Sequence, residues 1–216
     1  MLVIALGAVA VFLASGDAGT GNGAAITATP VRAKIVTLAE SQVGYRTDPP
    51  NSYCNKYSAF WGAGTATCGK GLRSEEWCAD FAAWTWYEAG AQMTYSFQTG
   101  DINGAAASFY VWAVDNGTWH PVGSGYVPQP GDVAVYGLTP TSDVATHVAV
   151  VTGYTRGARG PNVVDGDGNR TGFSVVEAVN DQYRADVPGR AGTLSGYASP
   201  IVPHPAGKAA GGGSGS

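Results

Sequence analysis

Charge is the scarcest property of this chain. Only 13% of its residues are Asp, Glu, Lys or Arg, and no block of Lys or Arg occurs anywhere. Phosphate backbones are bound by clustered cations, so a nucleic-acid partner is disfavoured. The formal charge of −4 points the same way. Membrane-length apolar runs are also missing. The apolar stretch "MLVIALGAVAVFLAS" (residues 1–15) falls short of the roughly 20 residues that span a bilayer. Histidine and cysteine number three each, with no C-x-x-C and no H-x-x-x-H spacing. That argues against a zinc site. No internal repeat is present.

What remains suits one folded domain with flexible ends. A chain of 216 residues can bury a core without depending on staples. A hydrophobic content of 44% against so little charge is the opposite of a disordered composition. The 32 glycines and 12 prolines imply many turns. The six tryptophans and eleven tyrosines read as bulky core or as the walls of clefts. Residues 1–15 and the spacer 17–28 have the apolar segment of a secretory signal but not its basic start, since the first cation is Arg32. A cleaved signal or an anchor is therefore expected over residues 1–28. The Gly/Ser run that closes the chain reads as a linker, placed at residues 206–216. The folded domain is expected to be 29–205.

An exported chain with three cysteines implies one disulfide and one free thiol. Of the three pairings, Cys54 with Cys68 is the simplest, since both flank the loop "CNKYSAFWGAGTATC". Closing a loop of about 15 residues is worth roughly 3 kcal/mol in the chain-entropy model. Cys78 is then free.

Three helices are predicted. Thr29 and Pro30 form a helix start, with Val31, Ile35, Leu38, Ala39 and Val43 on one face and Gly44 as the stop. A second runs from Trp77 to Gly90, and a third over 105–117. After the turn "QPGD" at 129–132 the period changes. "DVAVYG", "THVAVVTGY", "PNVVDGD" and "GFSVVEAV" are short Val-rich strands, and "GYASP" at 196–200 is expected to add a last strand at the edge. Helices first and strands later predict an α+β fold, with N-terminal helices packed on a C-terminal antiparallel sheet.

Cys78 falls at the start of the second helix. Unpaired N–H groups and the helix dipole favour thiolate over thiol there. Cysteine is also a common core filler, so position alone does not decide. His147 lies in the apolar strand "ATHVAVV", pointing with Ala149 and Val151. A buried imidazole there needs partners on both nitrogens, and a thiolate with a carboxylate would serve. His120 and His204 sit in proline-flanked loops and are weaker candidates. The third group is sought in "VVDGDGN", which offers Asp165, Asp167 and Asn169 at one parity. This D-x-D-x-N run also opens a calcium-loop pattern, but that pattern fails at Arg170, where Gly is required, and at Val176, where Glu is required.

The order of these pieces resembles the CHAP family of cysteine, histidine-dependent amidohydrolases/peptidases, relatives of the NlpC/P60 and papain-like peptidases. "WCADFAAWTWYEAG", "PQPGDVAVYG", "THVAVV" and "VVDGD" carry the resemblance, which spans roughly residues 31–200. It implies Cys78 as nucleophile, His147 as base, Asp165 as orienting acid and Asp167 as a following polar helper. A shifted register would use Asp167 and Asn169. It also implies a secreted, monomeric hydrolase of bacterial peptidoglycan with no cofactor or metal. Such an enzyme cuts between muramoyl sugar and L-alanine, or within the stem or cross-bridge, through an acyl-enzyme. Two alternatives stand beside it: a secreted toxin or effector acting on another amide, and an inactive wall-binding module.

Overall fold

Thr29 caps the first helix, its hydroxyl accepting the N–H of Arg32 at 3.4 Å. In the computed structural model, residues 29–187 and 190–203 are described. The signal or anchor expected over 1–28, the linker at 206–216 and His204 lie outside them. Helix α1 (Pro30–Ser41) buries Ile35 and Ala39, then turns into Gly44, whose φ of +93° favours glycine. Strand β1 (Cys54–Asn55) leads into a helix the sequence pattern did not show, α2 (Lys56–Trp61). Asn55 caps α2 by accepting the Ser58 N–H at 2.8 Å. Short strands β2 (Ala66–Thr67) and β3 (Arg73–Ser74) complete a three-stranded sheet in the order β1-β3-β2. Cys54 and Cys68 are disulfide-bonded, with Cα atoms 5.9 Å apart.

Helix α3 (Cys78–Ala89) ends at Gly90, which takes φ +89°. It is buried on almost every side, as expected of a helix apolar all round. Helix α4 (Ser108–Asp115) is shorter than the 105–117 expected. The Asn103 carboxamide accepts the Ala105 N–H at 2.9 Å and holds residues 105–107 in a turn.

The remaining strands are β4 (Trp119–Pro121), β5 (Val133–Tyr136), β6 (His147–Gly153), β7 (Asn162–Gly168), β8 (Val175–Val179), β9 (Arg184–Val187) and β10 (Arg190–Ala198). They form an antiparallel sheet in the order β4-β10-β5-β6-β7-β8, with β9 on β10. This is the expected α+β arrangement, consistent with a papain-like/NlpC-P60 architecture. Two placements differ from expectation. The C-terminal strand is not an edge. It lies between β4 and β5, because the segment around His120 is itself a strand and takes the outer place. One face of the sheet packs on the helices through Val133, Val135, Val148, Val150 and Val164, against Trp86, Phe81 and Phe109. The other face gathers Ala134, Tyr136, Ala149, Val151 and Leu194.

Candidate active site

Cys78 is the first residue of α3 and is 6% exposed. A cleft of about 230 Å³ opens over it, walled by residues 104–107 on one side and 143–146 on the other. The cleft shares Ala105, Ala107 and Asp143 with a second basin of about 220 Å³ that runs over Gln98 and Asp101. No Lys or Arg lines either basin among the described residues.

His147 opens β6 opposite Tyr136 of β5. It is 1% exposed, and its Nε2 is hydrogen-bonded to Oδ1 of Asp165. The other nitrogen, Nδ1, is left to the Cys78 side and makes no hydrogen bond of good geometry in the resting structure. Burial by itself would depress the His147 pKa. The charges of Asp165 and Cys78, with the hydrogen bond to Asp165, outweigh it and hold the imidazole well above its ordinary value. The group therefore favours imidazolium beside a sulfur and a carboxylate.

The three candidates for the third group part ways. Strict alternation would put Asp165, Asp167 and Asn169 on one face of β7. A register shift between Asp165 and Gly168 breaks that alternation, and Asp167 takes φ +61°. Asp165 thus meets His147, while Asp167 turns toward α3. There its carboxylate accepts the Trp77 N–H at 3.3 Å and the Ser174 hydroxyl at 2.6 Å. Burial raises the Asp167 pKa to about 7, against the lowering pull of the Ser174 bond and the His147 charge. Asn169 accepts the Ser174 N–H at 3.3 Å. Neither His120 nor Asn169 is bonded to Cys78 or His147. The His120 ring stacks on Tyr126 at 3.6 Å.

Several groups of the site had no signal in the sequence pattern. Gln182 donates its amide to Asp165 Oδ2 at 3.3 Å from a loop with no periodicity. Ser174 holds Trp77 by accepting its indole N–H at 2.8 Å. Asp80, two residues after Cys78, is fully buried and accepts the Tyr95 hydroxyl at 2.5 Å. Glu75 faces it. Burial first, and the neighbouring Asp80 carboxyl second, push the Glu75 pKa up to about 8. Among the described residues no three His, Cys, Asp or Glu side chains converge as a metal-binding group, and no helix is long and apolar enough to cross a membrane.

A helix-borne cysteine stands beside a strand-borne His–Asp pair, on an α+β scaffold consistent with the papain-like/NlpC-P60 architecture. The CHAP domain profile matches residues 69–167, and a CHAP domain of the NlpC/P60-like superfamily occupies that part of the chain. The matched segment contains Cys78, His147, Asp165 and Asp167. No curated protein matches the chain. Among solved structures, that of NlpC1 from Trichomonas vaginalis aligns at 10% identity and a TM-score of 0.42. The alignment covers 81% of this chain and 45% of that one, so this chain spans under half of its length.

Proposed function

We propose that the protein is a secreted hydrolase of bacterial peptidoglycan, cutting an amide bond by way of a cysteine acyl-enzyme. The observation that carries this reading is the His147 imidazole, bonded to Asp165 on one side and facing Cys78 on the other within a CHAP domain. The Cys78 thiolate attacks the carbonyl carbon of the scissile amide, and the carbonyl π pair moves onto oxygen. The first N–H groups of α3, including that of Cys78, have no intrahelical acceptor and can stabilise the oxyanion. His147 gives its proton to the leaving amine, and the C–N bond breaks to leave a thioester. The now neutral imidazole takes a proton from water, the resulting hydroxide attacks the thioester, and the C–S bond breaks to release the acid and restore the thiolate–imidazolium pair. Asp165 keeps the ring oriented throughout. The two basins beside Cys78 give an extended, cation-free groove for a peptide stem or cross-bridge. On the same reading the working unit is residues 29–205, exported by 1–28 and followed by a linker at 206–216.

The test is digestion of purified peptidoglycan, followed by mass spectrometry of the soluble fragments. New amino termini and stem peptides are expected from the wild type and none from Cys78→Ser. Muramic-acid ends would identify an amidase, and split stems or bridges an endopeptidase. Full lysis by Cys78→Ser would exclude the cysteine mechanism. Wall binding without released amines would mark a binding module.

A further inference from the structure

The carboxylate of Asp165 is 4% exposed and has two hydrogen-bond partners among the described residues. Its Oδ1 is taken by His147 Nε2 and its Oδ2 by Gln182 Nε2. A carboxylate held at one oxygen can rotate about its Cβ–Cγ bond. A second donor on the other oxygen fixes its plane and solvates its charge where water is excluded. We propose that Gln182 is a positioning residue of the proposed reaction, its buried amide holding Asp165 in line with His147. This rests on the reading of Cys78, His147 and Asp165 given above.

Gln182 is itself fixed from three directions. Its N–H donates to the Pro161 carbonyl at 2.8 Å. Its carbonyl accepts the Tyr136 hydroxyl at 3.1 Å. Its backbone lies flat on Gly160, where any Cβ would collide with the Gln182 carbonyl. A residue outside any strand, 1% exposed and clamped in this way, presents its amide in one orientation. The amide is nonetheless imperfectly satisfied, because Oε1 is buried without a donor. A residue selected only to fill space here would be Met or Leu, which leave no such oxygen. Retaining the amide costs stability, and the bond to Asp165 is what it supplies.

The groups facing the pair come from every element around it. Cys78 faces His147 from α3, and Tyr136 reaches the pair from β5. Asp167 lies on the same strand as Asp165, and Arg170 follows in the next turn. Glu177 of β8 stands opposite Asp165 in register, but its carboxylate is spent on the N–H groups of Arg170 and Thr171, each at 2.8 Å.

Two variants of the full chain test the assignment. Gln182→Met keeps the volume and removes the donor. Gln182→Glu keeps the shape but can donate only when protonated. Peptidoglycan turnover against pH, thermal unfolding and NMR titration of the His147 imidazole are measured for both. For Gln182→Met, kcat falls about 10- to 100-fold, part of the about 10²–10⁴ that acid–base catalysis supplies. KM holds, the melting temperature does not fall with the rate, and the His147 titration moves to lower pH. For Gln182→Glu, activity survives at the acid end and disappears as pH rises, giving an alkaline limb at lower pH than the one that loss of the His147 proton gives the wild type. An unmoved His147 titration in Gln182→Met, or a rate loss that only tracks a fall in melting temperature, overturns the proposal. The NMR titration needs no turnover, so it decides the role of Gln182 even if the wild type proves inactive on peptidoglycan.

Discussion

The carboxylate of Asp167 accepts the main-chain N–H of Trp77, tying β7 to the residue before Cys78. Helix α3 has no side-chain cap of its own, so this long-range contact does the work of one. The cap titrates near neutrality, because burial raises the Asp167 pKa to about 7. In the unfolded chain an aspartate titrates near about 3.9. The folded state therefore holds a proton that the unfolded state has lost. Its contribution to stability is full below about pH 3.9 and is lost as pH rises through about 7. Asp167→Asn does not titrate. Its melting temperature should match the wild type near or below about pH 3.9 and exceed it near pH 8, by calorimetry, apart from any constant offset. Parallel curves would remove Asp167 from the pH dependence. Asp167→Ala loses the cap and should cost about 0.5–2 kcal/mol at low pH, and less as pH rises through about 7.

Glu75 extends the same argument to higher pH. Its carboxyl faces that of Asp80, and its pKa stands at about 8 against an ordinary 4.5. Burial is the larger cause, while the Arg73 charge and the Gly64 N–H oppose the shift. The sign is again that of a raised acid: stability present below about 4.5 is lost as pH rises through about 8. Glu75→Gln supplies an amide donor to Asp80 that never ionises. Equal melting temperatures at or below about pH 4.5, and a higher one for the variant at pH 9, are the expected result. A variant that loses as much as the wild type on the alkaline side would show that the pair does not share a proton.

The disulfide leaves one thiol. Cys54 and Cys68 are 14 residues apart in sequence, and Cys78 is free at the floor of the cleft. In the native, unreduced protein iodoacetamide should attach to Cys78 alone, and peptide mapping after digestion would show it. Replacing Cys54 and Cys68 together by Ala should cost about 3 kcal/mol, the chain-entropy value for a loop of about 15 residues, measured by urea unfolding. Labelling at Cys54 or Cys68 without reductant would contradict the pairing.

What could be read in the sequence was whatever has a local period or cap. Thr29-Pro30 announces α1, the Trp77–Gly90 pattern announces α3, and the Val-rich runs announce β5 to β8. Cys78 and His147 were legible because each breaks an otherwise apolar pattern at an element's end. Helix α2 was not, because six residues inside a disulfide loop are too few to show a 3.6-residue period. The interior place of β10 depends on a non-local pairing with β4 and β5, which no window of sequence reports. The divergence of Asp165 from Asp167 comes from a bulge, and alternation arguments assume there is none. Gln182 has no pattern at all. Its role exists only because Tyr136, Pro161 and Gly160 converge on it in space.

Gly166, between the two aspartates, sets how closely β7 approaches α3. A Cβ there would fall 2.6 Å from the Phe81 side chain, which is fully buried in α3. Its φ is not in the left-handed region, so the constraint is steric and not one of backbone strain. Gly166→Ala must therefore push β7 and α3 apart, at a cost of about 1–3 kcal/mol for an overpacked core. The displacement acts where Cys78 on α3 meets the His147–Asp165 pair, and about 1 Å of misplacement can cost on the order of 10²-fold in rate. Activity should accordingly fall by more than the melting temperature suggests. Phe81→Leu in the same chain relieves the overlap, so the double variant should regain part of both, as expected for residues in contact. If Gly166→Ala leaves melting temperature and turnover unchanged, the spacing of β7 and α3 is not what aligns the site. If the double variant shows only the sum of the two single losses, Phe81 is not the group that Gly166 accommodates.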